Sequence, residues 1–96
     1  MAEIVISEFM DEAAVADLRA SFDVLYDKTL VDRPEELAAA AAGCRALIVR
    51  NRTQVRGALL EGAHLRVVGR LGVGLDNIDC KACRERGIAV IPATGA

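Results

Sequence analysis

The sequence Leu65-Arg-Val-Val-Gly-Arg-Leu-Gly-Val-Gly-Leu-Asp-Asn-Ile-Asp79 decides the fold. It opens with a short aliphatic run, which predicts a buried strand over residues 65–69. The glycines at 72 and 74 follow, and Asp76 or Asn77 then predicts the start of a helix. A strand that leads through a glycine-rich turn into a helix is the repeating unit of a parallel α/β sheet.

The same alternation continues in both directions along the chain. Aliphatic runs predict further strands over residues 3–7, 22–26, 46–50 and 88–91, the last of them stopped by Pro92. Spacing and capping residues predict helices from Asp11 to Ala20, from Pro34 to a cap at Gly43, from Asn51 or Thr53 through Leu60, and from Asp76 or Asn77 to Arg86. This (βα)₄β order predicts an α/β fold, namely a flavodoxin-like, doubly wound, parallel five-stranded sheet of order 2-1-3-4-5 with helices on both faces.

Length and composition are consistent with one small domain over residues 1–96. The chain is 53% hydrophobic, which excludes a disordered protein, and no apolar run reaches the roughly 20 residues of a membrane span. The N-terminus carries no signal-peptide pattern, and three cysteines suit a reducing compartment, so a cytoplasmic location is expected. The net charge of −2 argues against nucleic acid as a partner.

Charge and glycine are concentrated in different halves of the chain. Residues 1–48 carry ten acids and four bases, whereas residues 49–96 carry four acids, eight bases and seven of the eight glycines. In doubly wound sheets, ligands bind beyond the carboxyl ends of the strands. That edge is predicted to hold residues 7–9, 50–52 and 70–74.

The glycine-rich turn and the neighbouring arginines predict an anion site. Glycines let backbone N–H groups approach an anion, and Arg50, Arg52 and Arg70 could bind a carboxylate or sulfonate in bidentate fashion. An alternative stays open, in which Gly72 and Gly74 only provide positive φ for a tight turn and the arginines are solvated.

Other interpretations fit the residues less well. Gly72-Val-Gly74 lacks the third glycine of a dinucleotide fingerprint, since Asn77 stands there, and no acid ends the next strand. A phospho-acceptor receiver would need an acid pair after the first strand, and an FMN module would need a Ser/Thr-rich loop there. The actual residues are Ser7-Glu-Phe-Met10. A self-associating module without catalysis remains an alternative.

Several chemically active residues are assigned ordinary roles. Cys80 and Cys83 form a C-x-x-C about a turn inside a predicted helix and are expected to pack there, with no metal site. Asp76 and Asp79 are expected to cap that helix. Cys44 is expected in the core and His64 on the surface. Glu8 is expected to be solvated unless it contacts a ligand or the rest of the protein, and the same alternatives apply to Ser7 and Phe9 beside it.

Three segments together resemble the N-terminal region of NAD-dependent D-2-hydroxyacid dehydrogenases, with the phosphoglycerate dehydrogenase branch as the nearest broad match. They are Ala46–Thr53, Leu65–Asp79 and Arg86–Pro92, and the string G-R-x-G-V-G-x-D-N-I-D is the most specific part. Asn51-Arg-Thr53 departs from the usual serine-containing loop, and residues 92–96 depart from the usual Asn-x-Pro-Gly. These variants, with Ile6–Met10, are similar to sulfolactate dehydrogenase-like members.

The resemblance implies a two-domain enzyme of which this chain is the substrate-binding part. The substrate carboxylate would be held by the N–H groups of Leu71, Gly72, Val73 and Gly74, with Val73 also near the nicotinamide. Arg50, Asn51, Arg52 and Arg70 would face the rest of the substrate. A second anionic group on the substrate would account for Arg52.

The resemblance also implies what lies outside the 96 residues. A Rossmann domain that binds NAD or NADP, and the catalytic arginine, glutamate and histidine, would follow after Ala96. The fragment alone would therefore be inactive and bind no cofactor. The expected partners are a small anionic 2-hydroxy acid, that missing domain and a second copy in a homo-oligomeric dimer, with no nucleic acid and no membrane.

Overall fold

The computed structural model describes residues 2–72 and 74–93. Five strands and four α-helices alternate along these residues, and a short 3₁₀ helix, Leu30–Asp32, lies between β2 and α2. The strands are β1 Ile4–Ile6, β2 Val24–Tyr26, β3 Ala46–Val49, β4 Val67–Leu71 and β5 Ala89–Ala93. The α-helices are α1 Glu12–Arg19, α2 Pro34–Ala42, α3 Ala58–Glu61 and α4 Cys80–Glu85.

The strands form one parallel sheet in the order β2-β1-β3-β4-β5, so the predicted topology is confirmed. The strand order reverses between β1 and β3, where Ile4 lies opposite Ala46. On the next pair, Val49 lies opposite Arg70. The carboxyl ends of β1, β3 and β4 therefore meet at one edge, next to the switch point where such sheets bind ligands.

Alternate strand residues point to two separate clusters of buried side chains. On one face, Val5, Leu47 and Val68 pack with residues of α2, α3 and α4, and the predicted core residue Cys44 is buried with them. On the other face, Ile4 and Ile6 pack with α1 through Val15, among others. Coverage is therefore uneven, because three helices lie on one face and one lies on the other.

The uneven coverage leaves the α1 face open at β4 and β5. Ile91 of β5 points to that face and is 57% exposed, and Ala89 two residues earlier is also exposed. Val67 of β4 is only half-buried. The expectation of helices on both faces holds for β1 and β3 but not for this side of β4 and β5.

Several predicted boundaries were wrong. β2 begins at Val24 rather than at residue 22, and β4 spans Val67–Leu71 rather than residues 65–69. β5 continues through Pro92 to Ala93, which is possible because β5 is an edge strand and needs hydrogen bonds on one side only. Helix α3 begins at Ala58 after Gly57, not after Asn51 or Thr53. Helix α4 begins at Cys80.

The late start of α4 has a specific cause. Ile78 forms an isolated parallel bridge with Val55, and the N–H of Val55 donates to the carbonyl of Asn77. This pairing holds residues 77–79 outside the helix. The side chain of Asp79 then caps α4 by accepting the N–H of Ala82 at 3.0 Å.

Candidate anion-binding site

Two segments meet at the edge formed by the carboxyl ends of β3 and β4. Residues 50–53, here called the arginine loop, follow β3. The glycine turn, of which the structure describes Leu71, Gly72 and Gly74, lies at the end of β4. Because Val49 lies opposite Arg70, the two segments begin on neighbouring strands, which are separated by about 4.8 Å. The structure thus brings together the sequence-predicted residues Arg50, Asn51, Arg52, Arg70, Leu71, Gly72 and Gly74; Val73 lies outside the described residues.

Glu8, the second residue after β1, binds the backbone of the arginine loop. Its carboxylate accepts backbone N–H groups from Arg50 at 2.7 Å, Thr53 at 3.0 Å and Arg52 at 3.1 Å. The residue is only 5% exposed, so the expectation that Glu8 is solvated was wrong. A buried carboxylate requires such hydrogen bonds because burial alone disfavours its charged form.

These contacts set the charge state of Glu8. Burial raises the pKa of its carboxyl group, but the hydrogen bonds from Thr53, Arg50 and Arg52 act in the opposite direction and together outweigh it. The pKa of Glu8 is therefore lowered from its usual value of 4.5. The group is an anion at neutral pH.

Asn77 holds the same loop through groups of the opposite polarity. Its amide nitrogen donates to the carbonyls of Arg50 and Thr53, both at 2.8 Å. Thr53 in turn shares a hydrogen bond of 2.9 Å with Ser7, between two buried hydroxyl groups. The arginine loop is thereby attached both to the end of β1 and to the segment that follows the glycine turn.

The side chains of the arginine loop point outward. Arg50, Asn51 and Arg52 are all exposed. Nη2 of Arg52 donates to Oδ1 of Asp32, in the 3₁₀ helix, at 2.6 Å. Both partners are more than half exposed, and ion pairs of this kind contribute at most about 1 kcal/mol, so an anionic ligand can replace Asp32.

The guanidinium group of Arg70 lies against Gly72 of the glycine turn. Gly72 has φ +131°, a value that favours glycine, and a Cβ placed there would lie 2.1 Å from Nη1 of Arg70. The same Nη1 donates to the carbonyl of Leu71 at 2.6 Å, and Nε of Arg70 is buried without a hydrogen-bond partner among the described residues. The positive φ of the alternative interpretation is thus present, and the space left by the missing side chain holds a guanidinium group.

The cysteine motif lies in the predicted helix, α4, but at its start. Cys80 is the first residue of α4 rather than a turn inside the helix. Cys83 is fully buried, and its pKa is raised by burial and by the neighbouring Cys80 and Asp79, which is opposite to a reactive low-pKa thiol. Among residues 2–72 and 74–93, no cluster of three or more His, Cys, Asp or Glu side chains could hold a metal ion.

The remaining predicted roles have mixed outcomes. His64 is exposed and precedes β4, as expected. Asp79 caps α4, but Asp76 does not; it is exposed, and its carbonyl accepts the guanidinium of Arg56 at 2.7 Å. Phe9 is 56% exposed, whereas Ser7 is buried. In the part of the chain that the structure describes, no helix has the length and apolarity needed to cross a membrane.

Comparison with known proteins identifies the class to which this fold and site belong. Residues 4–96 match the family described as D-isomer specific 2-hydroxyacid dehydrogenase, catalytic domain. The chain therefore belongs to the D-isomer specific 2-hydroxyacid dehydrogenase family.

Individual relatives agree with that assignment. The chain is 62% identical to (S)-sulfolactate dehydrogenase of Chromohalobacter salexigens over 96 residues, which cover 99% of this chain and 31% of that protein. It is 35% identical to D-3-phosphoglycerate dehydrogenase of Archaeoglobus fulgidus, covering 97% of this chain and 18% of that protein. The crystal structure of the PH0520 protein from Pyrococcus horikoshii superposes with a TM-score of 0.85 at 26% identity, covering 99% of this chain and 28% of that one. The chain thus spans less than a third of the length of each of these relatives.

Proposed function

We propose that this chain is the substrate-binding part of a longer oxidoreductase that transfers a hydride between NAD or NADP and a small 2-hydroxy or 2-oxo acid. Two findings support this proposal: the chain belongs to the family, and it covers less than a third of the length of its relatives. The observation that carries it is the position of the arginine loop beside the glycine turn, at the carboxyl ends of adjacent strands. This edge is where doubly wound sheets bind ligands.

The residues described here suit substrate rather than dinucleotide. The third position of the glycine fingerprint is Asn77, whose amide nitrogen donates to the carbonyls of Arg50 and Thr53. No acid follows at the end of β5, where the ribose of a dinucleotide would be bound. As the resemblance to the family implies, we assign the coenzyme site and the catalytic arginine, glutamate and histidine to a Rossmann domain in the rest of the protein, and we expect the fragment to be inactive alone.

In this proposal the chain binds and orients an anionic substrate. The glycine turn and Arg70 bind the carboxylate beside the reacting C2, and Arg50, Asn51 and Arg52 bind the far end. The guanidinium of Arg52 engages Asp32 through one nitrogen, at 2.6 Å, and can exchange that partner for a second anionic group. A substrate with two anionic groups, such as a sulfolactate, phosphoglycerate or malate, fits best, and the identity to the sulfolactate dehydrogenase favours the first.

Arg52→Ala in the full-length protein tests the assignment. KM for a dianionic substrate is expected to rise about tenfold, which corresponds to one hydrogen bond to a charged group, while KM for monoanionic lactate stays the same. Arg66→Ala is the matched control, because Arg66 is also exposed but precedes β4 at the opposite edge. An unchanged KM for the dianionic substrate in Arg52→Ala would contradict the role of Arg52.

A second candidate function rests on the open face of β4 and β5. A stand-alone module that binds anions or associates with itself, without catalysis, would use the exposed Ile91 and its neighbours as a contact surface. The dehydrogenase proposal, by contrast, has the full-length protein as a cytoplasmic homodimer.

The coding sequence after Ala96 separates the two candidates, because a stop codon there would favour the module.

A further inference from the structure

The backbone of the arginine loop is hydrogen bonded on both sides by buried side chains. Three of its N–H groups, those of Arg50, Arg52 and Thr53, donate to the single carboxylate of Glu8. Two of its carbonyls accept the amide of Asn77. Glu8 and Asn77 are each 5% exposed.

The charge of Glu8 is met by the loop backbone. Among the described residues, no Lys or Arg side chain forms a salt bridge with Glu8, although two arginines lie in the loop directly above it. Neither guanidinium group is bound by Glu8: that of Arg52 pairs with the exposed Asp32, and the side chain of Arg50 is exposed. Had the carboxylate bound either side chain directly, that arginine would be lost to a ligand.

From these contacts we propose that Glu8 and Asn77 are positioning residues that fix the backbone of residues 50–53 so that Arg50 and Arg52 are presented to the substrate in a set geometry. The inference rests on the proposed function of the loop. An exposed loop with free backbone groups would have to be ordered during binding, whereas a loop held by five hydrogen bonds is ordered beforehand.

Glu8 acts through the loop and does not touch substrate. Both carboxylate oxygens are occupied by backbone donors, and the side chain is enclosed beneath the loop. A substrate contact or a proton transfer by Glu8 would require those bonds to break. The effect of a substitution should therefore appear in substrate affinity more than in the chemical step.

The first experiment follows the amide protons of the loop by NMR in the 96-residue chain. In the wild type, the N–H signals of Arg50, Arg52 and Thr53 are expected to shift together with one midpoint below pH 4.5, the usual value for a glutamate. In Glu8→Gln this common transition is expected to vanish. Three independent or absent transitions in the wild type would overturn the proposal, because the carboxylate would then not hold the loop.

The second experiment measures kinetics in the full-length enzyme with three variants. Glu8→Gln places an NH₂ group against a backbone donor, and Asn77→Asp places an oxygen against two carbonyls. Each is expected to raise KM for a dianionic substrate by about 10-fold to 100-fold with kcat changed less than about threefold. Val15→Ala is the control for general destabilisation, because Val15 of α1 is buried against the other face of the sheet. It is expected to lower Tm without changing KM.

The outcomes separate the two proposals. An active wild type whose KM is unchanged in Glu8→Gln overturns the positioning role and leaves the proposed function intact. A full-length wild type that oxidises no 2-hydroxy acid overturns the proposed function and the positioning role with it. A raised KM in both loop variants, with Val15→Ala unchanged, supports the positioning role.

Discussion

Replacing Gly72 with alanine should displace the guanidinium of Arg70 from the glycine turn. The added Cβ would lie 2.1 Å from Nη1, 3.2 Å from Cζ and 3.8 Å from Nη2 of Arg70. Because these atoms are the end of a flexible side chain, Arg70 is expected to swing away while the backbone stays. Its hydrogen bond to the carbonyl of Leu71 is then lost.

The expected destabilisation has two parts. The φ of +131° costs about 1–3 kcal/mol for a residue with a side chain. The lost hydrogen bond adds about 1.5 kcal/mol, the lower end for a charged donor, because the bond is only partly buried. Two control glycines measure the backbone contribution without any contact, since nothing lies within 4 Å of a Cβ at either position. Gly87→Ala, at φ +73°, should cost about 1–2 kcal/mol from backbone strain alone. Gly62→Ala, at φ −95°, should stabilise by about 0.4–1 kcal/mol.

A double-mutant cycle isolates the contact between the two residues. Urea unfolding of the wild type, Gly72→Ala, Arg70→Ala and the double variant, followed by circular dichroism, gives the four free energies of unfolding. In the Arg70→Ala background, Gly72→Ala should cost about 1.5 kcal/mol less than in the wild type, because the hydrogen bond is already absent. If the two costs add to within about 0.5 kcal/mol, the guanidinium does not occupy the space above Gly72 and the reasoning is refuted.

Two further predictions concern titratable groups. Since the pKa of Glu8 is lowered on folding, its contribution to stability is present above pH 4.5 and is lost as the pH falls through the lower folded value. The difference in unfolding free energy between the wild type and Glu8→Gln should therefore shrink in acid, and a constant difference would contradict the ionised state of Glu8. Burial raises the pKa of Cys44 to about 11 and also raises that of Cys83, so native alkylation with iodoacetamide at pH 8, followed by mass spectrometry, should label Cys80 first. Equal labelling of Cys44 and Cys80 would contradict the prediction, because it would show that burial in the native core does not protect Cys44 from the reagent.

The sheet topology was predictable because each strand is a short aliphatic run with its own signal. Runs such as Ala46–Val49 pack on both sides, so their composition alone distinguishes them from the intervening helices. The start of α4 was not predictable in the same way. Two acids and an asparagine at 76–79 are equally good caps, and the choice among them is made by the bridge between Val55 and Ile78, more than 20 residues apart.

The candidate site divides along the same line. The glycines and arginines of the site could be predicted from residue type alone, and the ones that the structure describes lie at one edge of the sheet. The role of Glu8 could not be predicted, because its three partners lie 42 to 45 residues away and donate only backbone groups. Asn77 offered one usable signal: an amide where a dinucleotide fingerprint has glycine implies that the position serves a side-chain contact.

The charges around the arginine loop explain how several guanidinium groups can be held at one edge before a ligand arrives. Like charges at an exposed edge repel, and each would be free to move. Here the buried anion of Glu8 lies beneath Arg50 and Arg52, and Asp32 pairs with Arg52 at 2.6 Å. Glu8 cannot leave when substrate binds, whereas the exposed Asp32 can be displaced. Under the proposed function, the second anionic group of a substrate would therefore replace an existing ion pair instead of meeting a bare cation. Its contribution to affinity would then be modest and dependent on salt, and we expect the fixed geometry of the loop to be the main source of selectivity between dianionic and monoanionic acids.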